Sequence, residues 1–419
     1  MARAERELLI RLFQAGLDAV DPATCLPAFL PAAPPAGRTL VGGAGKAAAR
    51  MAAVLADHLV GTPLSGAVVT RYGHGLKAGE FAPGIDILEA GHPVPDEASV
   101  AAGSRMLQLA RAAQSDDRFI FLLSGGASSL LLQPAPGLTL ADKQSVTRQL
   151  LASGASIGEI NTVRRKLSAI KGGGLARACR AREILVLTIS DVPGDAVADI
   201  GSGPLSPDPV SRVAAREIVE RYGIECAPTV IHALAGEDQA VPAAAFERVT
   251  IRVIARSAAA LAAAACAAEA AGWPVLVLPD VRGPAGDAAR AHAALIRDLR
   301  QNRRRSVVIS GGETTTAVTA AAGRGGRNGE YLLALALALG PDAGVHALAA
   351  DTDGLDGTGD NAGAFLDPET LHRAGTLGLD AAGCLAGQCS YNFFARLGDL
   401  LVTGPTRTNI NDLRITLVN

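Results

Sequence analysis

Glu313, Arg324 and Arg327 lie in one stretch, VVISGGETTTAVTAAAGRGGRNGEY (307–331), that begins as a buried strand and ends as a glycine-rich loop. Packing alone needs neither a carboxylate nor two guanidiniums beside backbone stripped of side chains. The pattern suits an anion held together with a metal ion. Ser310, Gly311, Gly312 and Thr314 would offer main chain and hydroxyls, Arg327 positive charge, and Glu313 a hard oxygen ligand.

Further loops have the same character. TLVGGAGKAAARMA (39–52) places Gly42, Gly43, Gly45 and Lys46 where a strand turns into a helix, so main-chain N–H groups could approach an anion closely. A tight strand-to-helix turn is the plain alternative. Lys46 weighs against it, because a cation at the positive end of a helix costs stability unless an anion visits. Residues 43–48 also satisfy the G-x-G-x-x-A dinucleotide pattern, although Thr70 and Arg71 stand where an acid would end the next strand. A Walker A loop is ruled out by Leu40 and Ala47. LLSGGASSLL (122–131) offers Ser124, Gly125, Gly126 and Ser128 as a second anion nest, with a solvated turn as the competing reading.

INTVRRKLSAIKGGGLA (160–176) gathers Arg164, Arg165, Lys166 and Lys171 ahead of Gly172. Such a helix face is usually just solvated, but this density of cations before a glycine turn fits a phosphate site better. Carboxylates recur at strand tips: Asp191 follows the apolar run 184–189, and Asp351 opens the run Asp351, Asp353, Asp356, Asp360. With Glu313, Asp191 and Asp351 are candidate Mg²⁺ ligands, and Asp191 could instead take a hydroxyl proton. The spacing after Asp351 lacks the glutamate of an EF-hand, and a turn rich in Asp and Gly is otherwise ordinary. His92, next to a proline, is expected to be structural. Glycine-lined nests, local cations and strand-tip carboxylates are the parts that phosphoryl transfer requires.

The elements that must hold these loops are legible from alternation. Strand candidates RTLVGG, GAVVTRY, IDILEAG, RFIFLLSGG and EILVLTISD are separated by helical stretches, which predicts a doubly wound parallel sheet. A polar, proline-containing stretch at 235–247 marks a boundary, giving domains 1–240 and 241–419. A second series then opens with VTIRVIA. FLLSGGASS (121–129) and VVISGGETT (307–315) echo one another, as if each domain offered one such loop to a cleft. The leading amphipathic segment predicts a helix that packs on either domain. A formal charge of −2 over 419 residues gives no footprint for nucleic acid or an anionic membrane. Six scattered cysteines without a CxxC pair, and no membrane-length apolar run, predict a soluble, cytoplasmic chain with reduced thiols.

VGGAGKAA, GHPVPDE, LLSGGASSLL, NTVRRKLSAIKGGGLA, SDVPGD, GSGP, SGGETT, GGRN, DTDGLDG and GPTRTNINDL, in this order from about residue 40 to the C-terminus, resemble the class II glycerate kinase family. The resemblance implies an N-terminal Rossmann-like domain, a smaller C-terminal α/β domain and an active site in the cleft between them. It implies phosphorylation of D-glycerate by ATP with Mg²⁺, typically to 2-phosphoglycerate. Lys46 takes the place of the family's essential lysine and Arg327, followed by Asn328, that of its essential arginine. Gly329 stands where the family commonly has glutamine, and Arg407 at a position expected to vary. Neither membrane nor nucleic-acid partners are expected, while a homo-oligomer is left open. A hydroxypyruvate reductase using NAD(P)H is the rival enzyme reading, and a sugar-acid or nucleotide sensor the non-enzymatic one.

Overall fold

Short runs of small and branched apolar residues build the first sheet: β1 (Thr39–Ala44), β2 (Leu64–Arg71), β3 (Ile85–Ala90), β4 (Arg118–Leu123), β5 (Glu183–Ile189) and β6 (Val249–Ala255). Their order is β3-β2-β1-β4-β5-β6, and β1 runs parallel to both β2 and β4. The chain therefore winds outward one way from β1 and the other way from β4. The carboxyl ends of these two neighbours form the switch point where such sheets bind ligands. All six residues of β1 are buried, and its glycines make room for neighbours: a Cβ on Gly42 would come 2.7 Å from the Phe119 ring.

In this computed structural model, residues 3–236, 241–316, 323–341 and 344–419 are described. The chain divides into two compact units, Cys25–Ile254 and a second made of Met1–Thr24 with Ala255–Asn419. Residue 240, the last of the first expected domain, lies outside the described residues. The strand VTIRVIA, which sequence reading placed at the head of the second series, is β6 of the first sheet. Val249 and Ile251 pack onto the core of that unit, so burial decides its membership. The first unit also carries a helical subcore, where Leu150, Ile160, Val163 and Ile218 join the helices Leu140–Ala152, Ile157–Lys166 and Arg212–Arg221.

The second unit holds a mixed sheet. Its strands are β7 (Val275–Val277), the short pair β8 (Gly283–Pro284) and β10 (Thr314–Thr315), β9 (Ser306–Ser310), β11 (Val345–Asp351), β12 (Gly363–Leu366), β13 (Leu400–Leu401) and β14 (Asp412–Val418). The main order is β13-β12-β11-β14-β9-β7, with β14 antiparallel to both β11 and β9. The leading helix Arg3–Val20 belongs here: Leu9, Leu12 and Phe13 share a core with Leu348, Leu413 and Ile415. Another core joins helices Ala285–Gln301 and Arg327–Leu339 through Ala289, Ile296, Leu332 and Leu335. No helix among the described residues is long and apolar enough to cross a membrane.

Candidate functional site

At the carboxyl ends of β1 and β4 two glycine loops interlock. The Lys46 N–H donates to Gly125 O (2.9 Å), the Gly45 N–H to Val69 O (3.0 Å) and the Ala47 N–H to Ser124 Oγ (3.0 Å). Ala48 N–H returns to Gly45 O at 3.1 Å. Gly45 has φ +133°, and a Cβ there would lie 2.1 Å from Ser124 Oγ. Gly43, inside β1, would place a Cβ 2.7 Å from Leu122 O. The glycines of the first loop thus admit the second loop. They do not leave bare amides for an anion, as the sequence had implied. Donors without an acceptor among the described residues lie instead in the second loop, at the N–H groups of buried Gly125 and half-buried Gly126. The Lys46 side chain passes beside Gly126, its Cγ 3.4 Å from where a Cβ would stand, and the His92 ring lies 3.1 Å from the same point.

Lys171, expected to reach a phosphate, is buried in backbone instead. Its Nζ donates to Ser128 O (2.9 Å) and Gly201 O (3.4 Å), and the Gly172 N–H donates to Ser202 O (3.1 Å). Burial, joined by the charges of Arg164, Lys143 and Arg165, pushes the Lys171 pKa well down. Lys143 is buried against Arg164 O and Leu167 O, and its pKa falls to about 7 through burial and the Arg164 charge. Arg165 and Lys166 are paired with Asp208, and Arg165 also with Asp199. Asp191 sits half-buried, two residues beyond the end of β5.

The second unit gathers its candidates around Arg327, the first residue of helix Arg327–Leu339. Asp351 on β11 and Asp412 on β14 are direct cross-strand partners, an arrangement of like charges that is destabilising by itself. Arg327 bridges them, Nη2 to Asp351 at 2.7 Å and Nε to Asp412 at 2.8 Å, while Nη1 reaches Glu313 at 2.6 Å. Burial works against the guanidinium's charge, but Asp412, Asp351 and Glu313 outweigh it and hold its pKa above the ordinary arginine value. Asn328 Nδ2 also donates to Asp412 at 2.8 Å, and buried Arg414 donates to Asp412, to Thr314 Oγ1 (3.0 Å) and to Gly311 O (2.9 Å). Ser310 is the cross-strand partner of Arg414, and a Cβ on Gly312 would meet Val281 O at 2.3 Å.

Asp412 and Asp356 organise this cluster, and sequence reading singled out neither. Asp356 stands in a run whose Asp and Gly content reads as an ordinary turn, yet its carboxylate accepts the N–H groups of Asn328 (3.0 Å) and Gly329 (2.9 Å) and fixes the helix start. Burial raises its pKa to about 6, and burial plus the Asp356 charge raises that of Glu330 to about 7. A Cβ on Gly329 would stand 2.7 Å from Ser390 Oγ, so a longer residue there requires the Ser390 side chain to shift. The sequence signal for Asp412 is its place in the motif GPTRTNINDL, to which no role for the aspartate was attached.

Of the three candidate metal ligands, Glu313 and Asp351 meet at Arg327, whereas Asp191 belongs to the other unit. No group of three or more metal-binding side chains forms among the described residues. Glu313, Asp351 and Asp412 nonetheless outnumber Arg327 and Arg414. Two hard carboxylates suit Mg²⁺, which usually takes its remaining ligands from phosphate oxygens and water.

Comparison with known proteins matches this chain along its length. The model for a domain of unknown function, DUF4147, covers residues 8–235, and the MOFRL family model covers residues 306–412. The D-glycerate 2-kinase of Thermotoga maritima is 36% identical over 417 residues, 99% of this chain and 98% of that protein. A crystal structure of glycerate kinase from the same organism superposes with a TM-score of 0.87, covering 99% of this chain and 100% of that one. A protein of Agrobacterium vitis, provisionally named a hydroxypyruvate reductase, is 44% identical over 99% of this chain and 94% of its own length.

Proposed function

The chain belongs to the class II glycerate kinase family, and from that premise we propose that it transfers the terminal phosphoryl group of ATP to the 2-hydroxyl of D-glycerate. The observation that carries this reading is the Lys46 loop locked beside the Gly125 and Gly126 amides, in a chain aligned end to end with a D-glycerate 2-kinase. Phosphoryl transfer is mainly positioning and charge neutralisation. The Lys46 ammonium and the two amides suit the phosphate oxygens, and Arg327, fixed in orientation by three carboxylates, suits the charge that develops during transfer. Asp191 either accepts the hydroxyl proton or helps hold the metal. Glu313 and Asp351 would hold Mg²⁺, which when bound neutralises the polyphosphate charge.

The reductase reading is weaker on physical grounds. A dinucleotide fingerprint offers amides after its first strand to the pyrophosphate. Here the N–H groups of Gly45, Lys46, Ala47 and Ala48 already donate within the protein. The test runs two assays side by side: ADP release with D-glycerate and MgATP, and absorbance change with hydroxypyruvate and NADH or NADPH. Glycerate-dependent ADP release with a 2-phosphate product is expected. Nicotinamide oxidation without ADP release would refute the proposal, and a 3-phosphate product would refute its regiochemistry.

A further inference from the structure

Around the helix Ile157–Lys166 one guanidinium, that of Arg164, has no carboxylate partner among the described residues. Lys143, Arg164, Arg165, Lys166 and Lys171 come together here, and the carboxylates bonded to Arg165 and Lys166 include Asp199 and Asp208. Lys143 and Lys171 spend their protons on main-chain carbonyls. Arg164 makes one hydrogen bond among the described residues, Nη2 to Ser128 O at 3.3 Å. A guanidinium carries five donors in a planar fork, and half-buried Arg164 uses one of them within the protein, leaving the outward part of the fork for an anion. Burial also lowers the Arg164 pKa, as expected where the compensating charge is not supplied by the protein.

Position narrows the class of that anion. Arg164 touches the loop 124–129 at Ser128, the same loop that carries the Lys46 stem at Gly126 and the Gly125 and Gly126 amides. Beside Arg164, the Ser128 and Ser202 hydroxyls lie 2.9 Å apart, and Ser202 holds a left-handed φ of 62° that a non-glycine residue adopts only at a cost. Arg327 is poorly suited to a fourth carboxylate, since Nε, Nη1 and Nη2 each already serve one. We propose that Arg164 is the anchor for the carboxylate of the three-carbon acid, with the half-buried Ser128 hydroxyl, backed by the buried Ser202 hydroxyl, next to it. The assignment rests on the glycerate kinase reading and names how that substrate is held.

Arg164→Gln and Arg164→Lys should be compared with the unmodified chain for KM and kcat toward D-glycerate, ATP and D-glyceramide, in which an amide replaces the carboxylate. Arg164→Gln is expected to raise KM for D-glycerate by about tenfold or more, leave KM for ATP within about twofold, and erase the preference for glycerate over glyceramide. Arg164→Lys, which keeps the charge but not the fork, should fall between. A rise in KM for ATP with D-glycerate unaffected would assign the anion to the nucleotide and overturn the proposal. So would an unchanged glycerate preference in both variants. If Arg164→Gln does not fold, Arg164→Lys decides alone: a KM for D-glycerate and a preference over D-glyceramide both unchanged from the unmodified chain would sink the idea. Absence of glycerate-dependent ADP release in the unmodified chain is a separate result, and would remove the kinase reading itself.

Discussion

Arg327 is best understood through what it holds apart. Asp351 and Asp412 face each other across two strands, and the guanidinium between them turns a repulsion into a network. Arg327→Ala would therefore do more than remove a catalytic charge. It should destabilise the mixed-sheet unit by about 3 kcal/mol, the scale of breaking a buried ion pair. Arg327→Lys is the cleaner probe: it should fold, yet lose turnover by orders of magnitude because an ammonium cannot satisfy three directions at once. Lys46→Ala should lose turnover similarly with its melting temperature nearly unchanged, and near-normal turnover would exclude Lys46 from the reaction. Glu330 gives a prediction in pH. Its carboxyl is held at about 7 when folded against an ordinary 4.5, so the folded state retains a proton that the unfolded state releases in that window. Stability from this group is present below about 4.5 and is lost as pH rises through about 7. Glu330→Gln should accordingly melt higher than the unmodified chain at pH 8 and lose that advantage in acid.

Loops and strands set what these residues can do. The β1 and β4 loops are locked by a hydroxyl, a carbonyl and a glycine that only glycine can replace. Gly45→Ala would force a Cβ into Ser124 in a backbone region that side chains avoid. A loss of roughly 1–3 kcal/mol is expected, with a larger fractional loss of turnover because Lys46 follows immediately. A variant with ordinary stability and turnover would mean that the interlock does not position Lys46. The same interlock explains a partial failure of sequence reading. Glycine-rich turns advertise open amides, but whether those amides stay open depends on the loop that packs against them. In the β1 loop they are consumed by Gly125 and Ser124, and in the β4 loop two have no acceptor among the described residues.

Across the whole chain, connectivity and packing part company. The first residues and the last complete one unit, and β6 completes the other. A fragment spanning 25–254 should unfold in one cooperative transition. A fragment ending at 240 should melt lower or aggregate, since it lacks the Val249 and Ile251 side chains and the Arg248 bonds to Ala176 O and Cys179 O. Equal melting of the two would remove β6 from the structural account.

Local chemistry carried much of the reading. The parallel sheet, the strand-tip loops and the family itself were legible because hydrophobic alternation and Gly/Ser/Asp motifs are written in consecutive residues. Partnership was not. That Asp412 anchors Arg327, that Lys171 serves backbone carbonyls, that Arg164 has no carboxylate partner among the described residues, and that the leading helix shares a core with the C-terminal sheet all depend on residues distant in sequence. Charge balance and burial are sums over spatial neighbours, so they come into existence only when the chain has folded.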